Sequence, residues 1–463
     1  MGTQNWQDYL KDRQDRWIEE LSEFLTIPSI SALPDHAGDV QEAALWVGDR
    51  LRVAGVENVE VLPTEGHPVV YGDWLHAPGR PTLLVYGHFD VQPVDPVDLW
   101  SHPPFEPVVR DGRIYARGSS DDKGNMLAPI LAVQALLETT GTLPLNLKFL
   151  LEGQEEIGSP HLPPFMKAEA GRFASDVAVS ADGSQWSEEE PATWVSLRGL
   201  CGLQINVHGP SRDLHSGLFG GAVQNPVHAL VRLLDSMRSP DGRVLVQGFY
   251  DDVREPDDRL RTELARVPYE EEELLSSIGV TETFGEPGFS TYEREWIRPT
   301  LEINGIWGGF QGDGMKTVLP RQAHAKVTCR LVADQHPDRV VKAVVRHVEE
   351  HTPPGVEAEV VVLDSSSMPY SIPIDHPGNR AAARVLEELY GRRPYVVGSG
   401  GSIATCGLIL EHLGIHTVNL SFGLDDECAH SPDEFFRLAS FERAQIAHGR
   451  FIEVLAADSG QGS

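Results

Sequence analysis

The stretch Leu83–Asp90, LLVYGHFD, decides how this chain is read. Its apolar run has the composition of a strand buried on both faces of a parallel sheet. It stops at Gly87 and delivers His88 and Asp90, two residues apart, at its carboxyl end. Open α/β sheets place their chemistry at that end of their strands. One histidine after a strand decides little by itself, but other segments repeat the arrangement. LNLKFLLEGQEE ends in Glu155 and Glu156, DVAVSADG carries Asp182, and IHTVNLSFG leads through an acidic loop to His430. Asp121 lies in the loop that opens a helix predicted from about Lys123.

Working outward, composition sets limits. At 463 residues the chain exceeds one ordinary core, so two domains are expected. A formal charge of -31 opposes binding to polyanions, which argues against nucleic acid as a partner. The four cysteines, Cys201, Cys329, Cys406 and Cys428, are widely spaced and form no Cys-x-x-Cys pair. Neither a disulfide framework nor a thiolate zinc site is signalled. No apolar run approaches the roughly 20 residues that span a bilayer, and the amino terminus MGTQNWQDYLKDRQDRW is polar, so the expected location is cytoplasmic, with no membrane partner.

The periodicity predicts a helix over Trp6–Leu25, on which Trp17, Leu21 and Leu25 share a face, and a second over Val40–Ala54 capped by Gly55. A strand near Val59–Leu62 follows, and strands and helices then alternate through Ala181, the pattern of a mostly parallel sheet covered by helices. Past Arg198 the order becomes strand (Leu203–His208), helix (Gln224–Met237), strands (Leu301–Ile306 and His324–Ala333), helix (Arg339–His351) and strand (Val356–Leu363). That is the β-α-β-β-α-β order of a ferredoxin-like unit. The acidic stretch inside it, with DDVREPDDRL and YEEEELLSS, reads as a solvated insertion. After PYSIPIDHP a helix over Asn379–Tyr390 and a strand near Val418 return to the α/β style. The expected organisation is therefore a first domain built from residues 1–198 and 373–463, interrupted by a second over 199–372.

His88, Asp121, Glu156, Asp182 and His430 supply two imidazoles and three carboxylates. This set suits a pair of zinc or manganese ions, with cobalt an alternative, and one carboxylate must bridge. Two such ions activate a shared water and polarise the bond it attacks. If Glu156 binds metal, the preceding Glu155 is free to take the water's proton and hand it to a leaving amine. Asp90 can accept the other ring N–H of His88 and fix its tautomer.

GHFDVQP, RIYARGSSDDKG, EGQEEIGS, SADG, DLHSGLFGG and CAHSPDE together resemble the di-metal exopeptidase family of carnosine dipeptidases, cytosolic nonspecific dipeptidases and peptidase V. The resemblance spans nearly the whole chain. It implies His88, Asp121 and Asp182 around one ion, and Asp121 as the bridge with Glu156 and His430 around the other. It further implies Glu155 as general base, Asp90 as the residue behind the first histidine, and the inserted domain as lid and dimerisation surface of a homodimer. His215 matches a histidine given across the dimer to the partner's site. Arg330, Thr317 and Ser402 match substrate contacts. His228 and His324 carry no such match and read as structural.

Three functions follow as candidates: a dipeptidase or short-peptide exopeptidase, an N-acyl amino acid amidohydrolase on the same scaffold, and a non-catalytic metal-binding protein. The intact Glu155 argues against the last. Asp122, which makes the motif DDKG, and the Asp182 and HSGLFGG forms lean toward the peptidase.

Overall fold

A computed structural model describes residues 5–459 and shows two compact units. Among the described residues the first comprises 5–195, 372–396 and 405–459, and the second 196–371 and 397–404. The short return of 397–404 to the second unit was not foreseen from the sequence, and it carries Ser402 with it.

The first unit is built on a six-stranded sheet. Across it run Glu57–Leu62, Val69–Trp74, Asn146–Glu152, Thr82–His88, Val177–Ser180 and Thr417–Asn419. The last four strands pair in parallel, and the first two join antiparallel at one edge. Register aligns the carboxyl ends: His88 lies opposite Glu152, Tyr86 opposite Ser180, and Asn419 opposite Ser180 on the other side. Loops leaving these strands therefore start level with one another, which is the condition for a shared site. The central strands are apolar and buried over nearly their full length, as double coverage by helices requires. Helix Gly124–Thr140 is buried from Gly124 to Leu136, ends at the left-handed Gly141 (φ 71°), and packs against the long helix Leu438–Ser459.

The predicted first helix is two helices, Trp6–Lys11 and Gln14–Leu25. At the break the Leu10 carbonyl accepts the Arg13 N–H (3.1 Å), Gln14 Nε2 (3.1 Å) and the indole N–H of the fully buried Trp17 (3.1 Å).

The second unit holds a wholly antiparallel four-stranded sheet in the order Thr300–Gly308, Gln322–Leu331, Gly199–His208, Glu357–Ser367. Helices Pro226–Ser236 and Pro337–His351 bury Leu230, Leu233, Val340 and Val344 against it. This is the ferredoxin-like arrangement. In the acidic insertion helix Glu271–Ile278 buries none of its residues, whereas helices Asp258–Leu264 and Thr291–Trp296 bury Leu264 and Trp296, the latter helix starting with a capping box of Ser290 and Glu293 near the buried pair Arg298–Glu286 (2.8 Å). Among the described residues no helix is long and apolar enough to cross a membrane.

Candidate active site

Thr82–His88 ends on His88 itself, one residue later than the strand was expected to stop. The turn that carries Asp121 presses on this strand so closely that a Cβ on Gly87 would lie 2.7 Å from Met126 Cγ and 3.0 Å from Asp122 Oδ2. Glycine is what permits that approach. His88 Nε2 then lies 3.1 Å from Asp121 Oδ1, and its backbone N–H donates to Asp122 Oδ2 (3.1 Å). Asp121 is the one residue of its turn with non-helical backbone (φ −118°, ψ 94°), and the Asp121–Asp122 peptide is cis.

Asp121 faces two histidines. Its other oxygen lies 2.9 Å from His430 Nε2, which is also 3.2 Å from Glu156 Oε2. Donor atoms of His88, Asp121 and Asp182 all lie within 4.8 Å of one another, and those of Asp121, Glu156 and His430 do likewise. All five residues named from the sequence thus converge, in two groups that share Asp121. His88 is fully buried while the His430 side chain is 56 % exposed, so the cluster runs from the sheet end to the surface. Gln92 Nε2 donates to Glu156 Oε2 (2.7 Å) and fixes that carboxylate's rotation.

Asp90 does more than the sequence suggested. The acceptor nearest His88 Nδ1 is the Asp90 carbonyl (3.2 Å), and the Asp90 carboxylate is farther, at 3.5 Å. That carboxylate instead accepts the backbone N–H groups of Glu155 (3.1 Å, Oδ1) and Glu156 (3.1 Å, Oδ2). Asp90, fully buried, holds the turn on which both glutamates sit.

The charge balance describes a cation site. Burial, reinforced by the charges of Asp182, Glu156 and Asp121, pushes the Glu155 carboxyl well above the usual carboxylate range against the opposing pull of His88. Burial likewise raises Glu156 to about 7 and Asp182 to about 6. Hydrogen bonds donated to Asp121 and then to Glu156 raise His430 to about 10. Burial alone would depress His88, but its bonds to Asp121 and Asp90 hold it well above the ordinary histidine value. Burial would raise Asp121, but the bonds from His430 and His88 hold it below the usual carboxylate range. An all-oxygen and imidazole donor set that retains protons in this way fits divalent ions, which displace them on binding.

Beneath the cluster the sequence concealed a further acid. Glu152 accepts from Tyr86 Oη (2.8 Å) and Thr405 Oγ1 (2.7 Å), and burial raises it to about 7. It opens the motif EGQEEIGS, but as the last residue of an apolar strand it was given no role there.

The second unit groups its named residues in pairs. His215 lies opposite Val318 in a two-residue ladder, the Ser216 N–H donates to the Thr317 carbonyl (3.1 Å), and His215 Nδ1 caps the following turn by accepting from Gly217 N–H (3.0 Å). Arg330 Nη1 donates to Ser402 Oγ (3.4 Å), whose hydroxyl donates to the Arg198 carbonyl. Arg198, which served in the sequence only as a boundary, is a neighbour of Arg330 and Ser402 that the motifs missed. Its N–H reaches the carbonyls of Ser399 (3.2 Å) and Gly401 (3.1 Å), and burial together with the Arg330 charge lowers its guanidinium to about 10. His324 bonds Asn206 (2.7 Å) and stacks on Trp307.

Comparison with known proteins agrees with this architecture. The profile of the Peptidase family M20/M25/M40 matches residues 84–454. The Cys-Gly metallodipeptidase dug1 of Schizosaccharomyces pombe is 31% identical over 98% of this chain and 98% of its own. The Beta-Ala-His dipeptidase of Rattus norvegicus is 29% identical over 98% of this chain and 96% of its own. Among solved structures, the M20 family metallo-carboxypeptidase Sso-CP2 from Sulfolobus solfataricus superposes with a TM-score of 0.81 at 29% identity, covering 95% of this chain and 99% of that one. Matched over most of its length and aligned end to end with metallo-dipeptidases, the chain is an enzyme of the Peptidase family M20/M25/M40.

Proposed function

We propose that this enzyme hydrolyses the peptide bond of dipeptides or short peptides, with Glu155 as general base and acid. The observation that carries the reading is the pair of three-residue donor groups sharing Asp121, with Glu155 beside them and outside both. His88, Asp121 and Asp182 would hold one divalent ion, and Asp121, Glu156 and His430 a second. Zinc suits the set first, manganese or cobalt next. Ions bound there would polarise the scissile carbonyl and acidify a water.

The rest is work for the chain's own groups. Glu155 takes a proton from the attacking water at a carboxylate oxygen and delivers it to the departing amine nitrogen, so the carboxylate is regenerated each cycle. Asp90 keeps it in place through the backbone of its turn. In the second unit, Arg330, Thr317 and Ser402 are proposed to bind the substrate, with the cationic pair Arg330–Arg198 suiting a free carboxylate. His215 is proposed to serve the partner subunit's site in a homodimer formed through this unit, donating to the oxyanion. Four cysteines without a disulfide fit the cytoplasm.

The test loads the metal-free protein with zinc, manganese or cobalt in turn and assays dipeptides, longer peptides and N-acyl amino acids. Two ions per chain and a preference for dipeptides support the reading. A preference for N-acyl amino acids would assign the amidohydrolase activity instead.

A further inference from the structure

The loop that displays His430 is conformationally expensive. Cys428 (φ 57°), His430 (φ 60°) and Asp433 (φ 60°) all lie in the left-handed region, which non-glycine residues occupy only when their surroundings over-determine it. At its two feet stand Glu427 and Glu434, both fully buried, joined where Phe435 N–H donates to the Glu427 carbonyl (3.1 Å). Neither carboxylate faces the donor groups. Both face the turn that carries Asp121, some 300 residues away in sequence.

Glu434 accepts four hydrogen bonds from that turn. Oε2 takes the Gly118 N–H (2.8 Å) and Arg117 Nη1 (2.7 Å), and Oε1 takes the N–H groups of Ser120 (3.0 Å) and Asp121 (3.1 Å). The N–H groups that open a helix have no partners inside it, and here a distant carboxylate caps them, as the positive end of the helix favours. Glu427 grips the same turn from the other foot: Ser120 Oγ donates to its Oε2 (2.6 Å), while Arg437 Nη1 neutralises its Oε1 (3.0 Å). Ser120 is therefore held twice, and the next residue is Asp121.

We propose that Glu434 and Glu427 are positioning residues, a clasp that fixes the Asp121 turn against the His430 loop and so sets the affinity of the metal centre before any ion arrives. The inference rests on the metal reading above. Partners behind metal ligands typically govern affinity by 10- to 100-fold. Asp121 belongs to both donor groups and His430 to one, so loosening the clasp weakens both ions and the Asp121–Glu156–His430 ion more.

The experiment measures zinc affinity of the full chain by competition with a chromophoric chelator, alongside thermal melting. Glu434→Gln sets an amide N–H₂ against backbone N–H groups, and should weaken uptake of both ions 10- to 100-fold. Ser120→Ala removes one bond to Glu427 and should weaken it a few-fold in the same direction. Leu386→Ala, a buried helix position in the core of the first unit, is the control for general destabilisation and should leave affinity unchanged. Saturating zinc should restore turnover in both clasp variants. Wild-type affinity in a folded Glu434→Gln, or in Ser120→Ala if Glu434→Gln does not fold, overturns the clasp, as does equal weakening in Leu386→Ala. A wild type that takes up no zinc overturns the metal reading and the clasp with it.

Discussion

Asp90→Asn isolates one link between structure and turnover. The Asp90 carboxylate accepts the N–H groups of Glu155 and Glu156 at 3.1 Å each, one per oxygen, in a site with no exposure to water. Asparagine keeps one acceptor and sets an amide N–H₂ against the other N–H. One charge-assisted bond is lost and one buried donor is left unpaired, which costs about 2–3 kcal/mol. The His88 ring loses less, because its nearer contact is the Asp90 carbonyl, which the substitution leaves in place. If that energy is spent on the turn, the population with Glu155 correctly placed falls by roughly 30- to 100-fold, since about 1.4 kcal/mol is a factor of ten. The assay is kcat for a dipeptide at saturating metal, with elemental analysis to show both ions in place. A 30- to 100-fold drop in kcat with KM little changed is expected. Wild-type kcat in the fully loaded variant would refute the idea that Asp90 holds the catalytic turn.

Three further outcomes follow from other parts of the molecule. Lys123→Met should cost about 1–2 kcal/mol, seen as a melting point lower by a few degrees, because Lys123 Nζ donates to the carbonyls of Phe24 (3.2 Å) and Ile27 (2.7 Å) at the end of helix Gln14–Leu25 and methionine leaves these carbonyls only their backbone partners, among them the N–H groups of Ile27 and Ser29. Burial holds His448 neutral, with its pKa lowered to about 3, whereas the unfolded chain protonates it below its ordinary 6.5. Its contribution to stability is therefore full above pH 6.5 and shrinks as pH falls toward 3; relative to His448→Leu, the wild type should lose about 2 kcal/mol between pH 7.5 and pH 5 in urea titrations, and a constant difference would contradict this. If His215 serves the partner's site, His215→Ala and Glu155→Gln chains, each nearly inactive alone, should regain up to about half the normal activity per heterodimer after subunit exchange, because one site collects both defects and the other neither. Exchange confirmed by mass without recovery places His215 within its own chain's site or outside catalysis.

What the sequence disclosed had a physical reason, and so did what it withheld. The strand Thr82–His88 was legible because a parallel strand buried on both faces is apolar throughout, and His88 because it breaks that run at the functional end. Asp121, Glu156, Asp182 and His430 were legible by the same rule, each near an element end. The break at Asp12–Arg13 was not, because the helical period continues intact on both sides of it. Nor were Glu434, Glu427 and Arg198, whose partners lie hundreds of residues away or in backbone groups that no side-chain pattern records. Asp90 was found for its place behind His88, and its stronger bonds to the Glu155–Glu156 turn emerged only from the folded chain.

The central claim is that Glu155 moves protons while the five residues beside it hold metal. Glu155→Gln tests it most directly, through metal content and turnover measured on the same preparation. The account predicts two divalent ions per chain, as in the wild type, with kcat for dipeptide hydrolysis lowered by about 10²-fold or more. A variant that loses an ion, or one that keeps both and turns over normally, would contradict it.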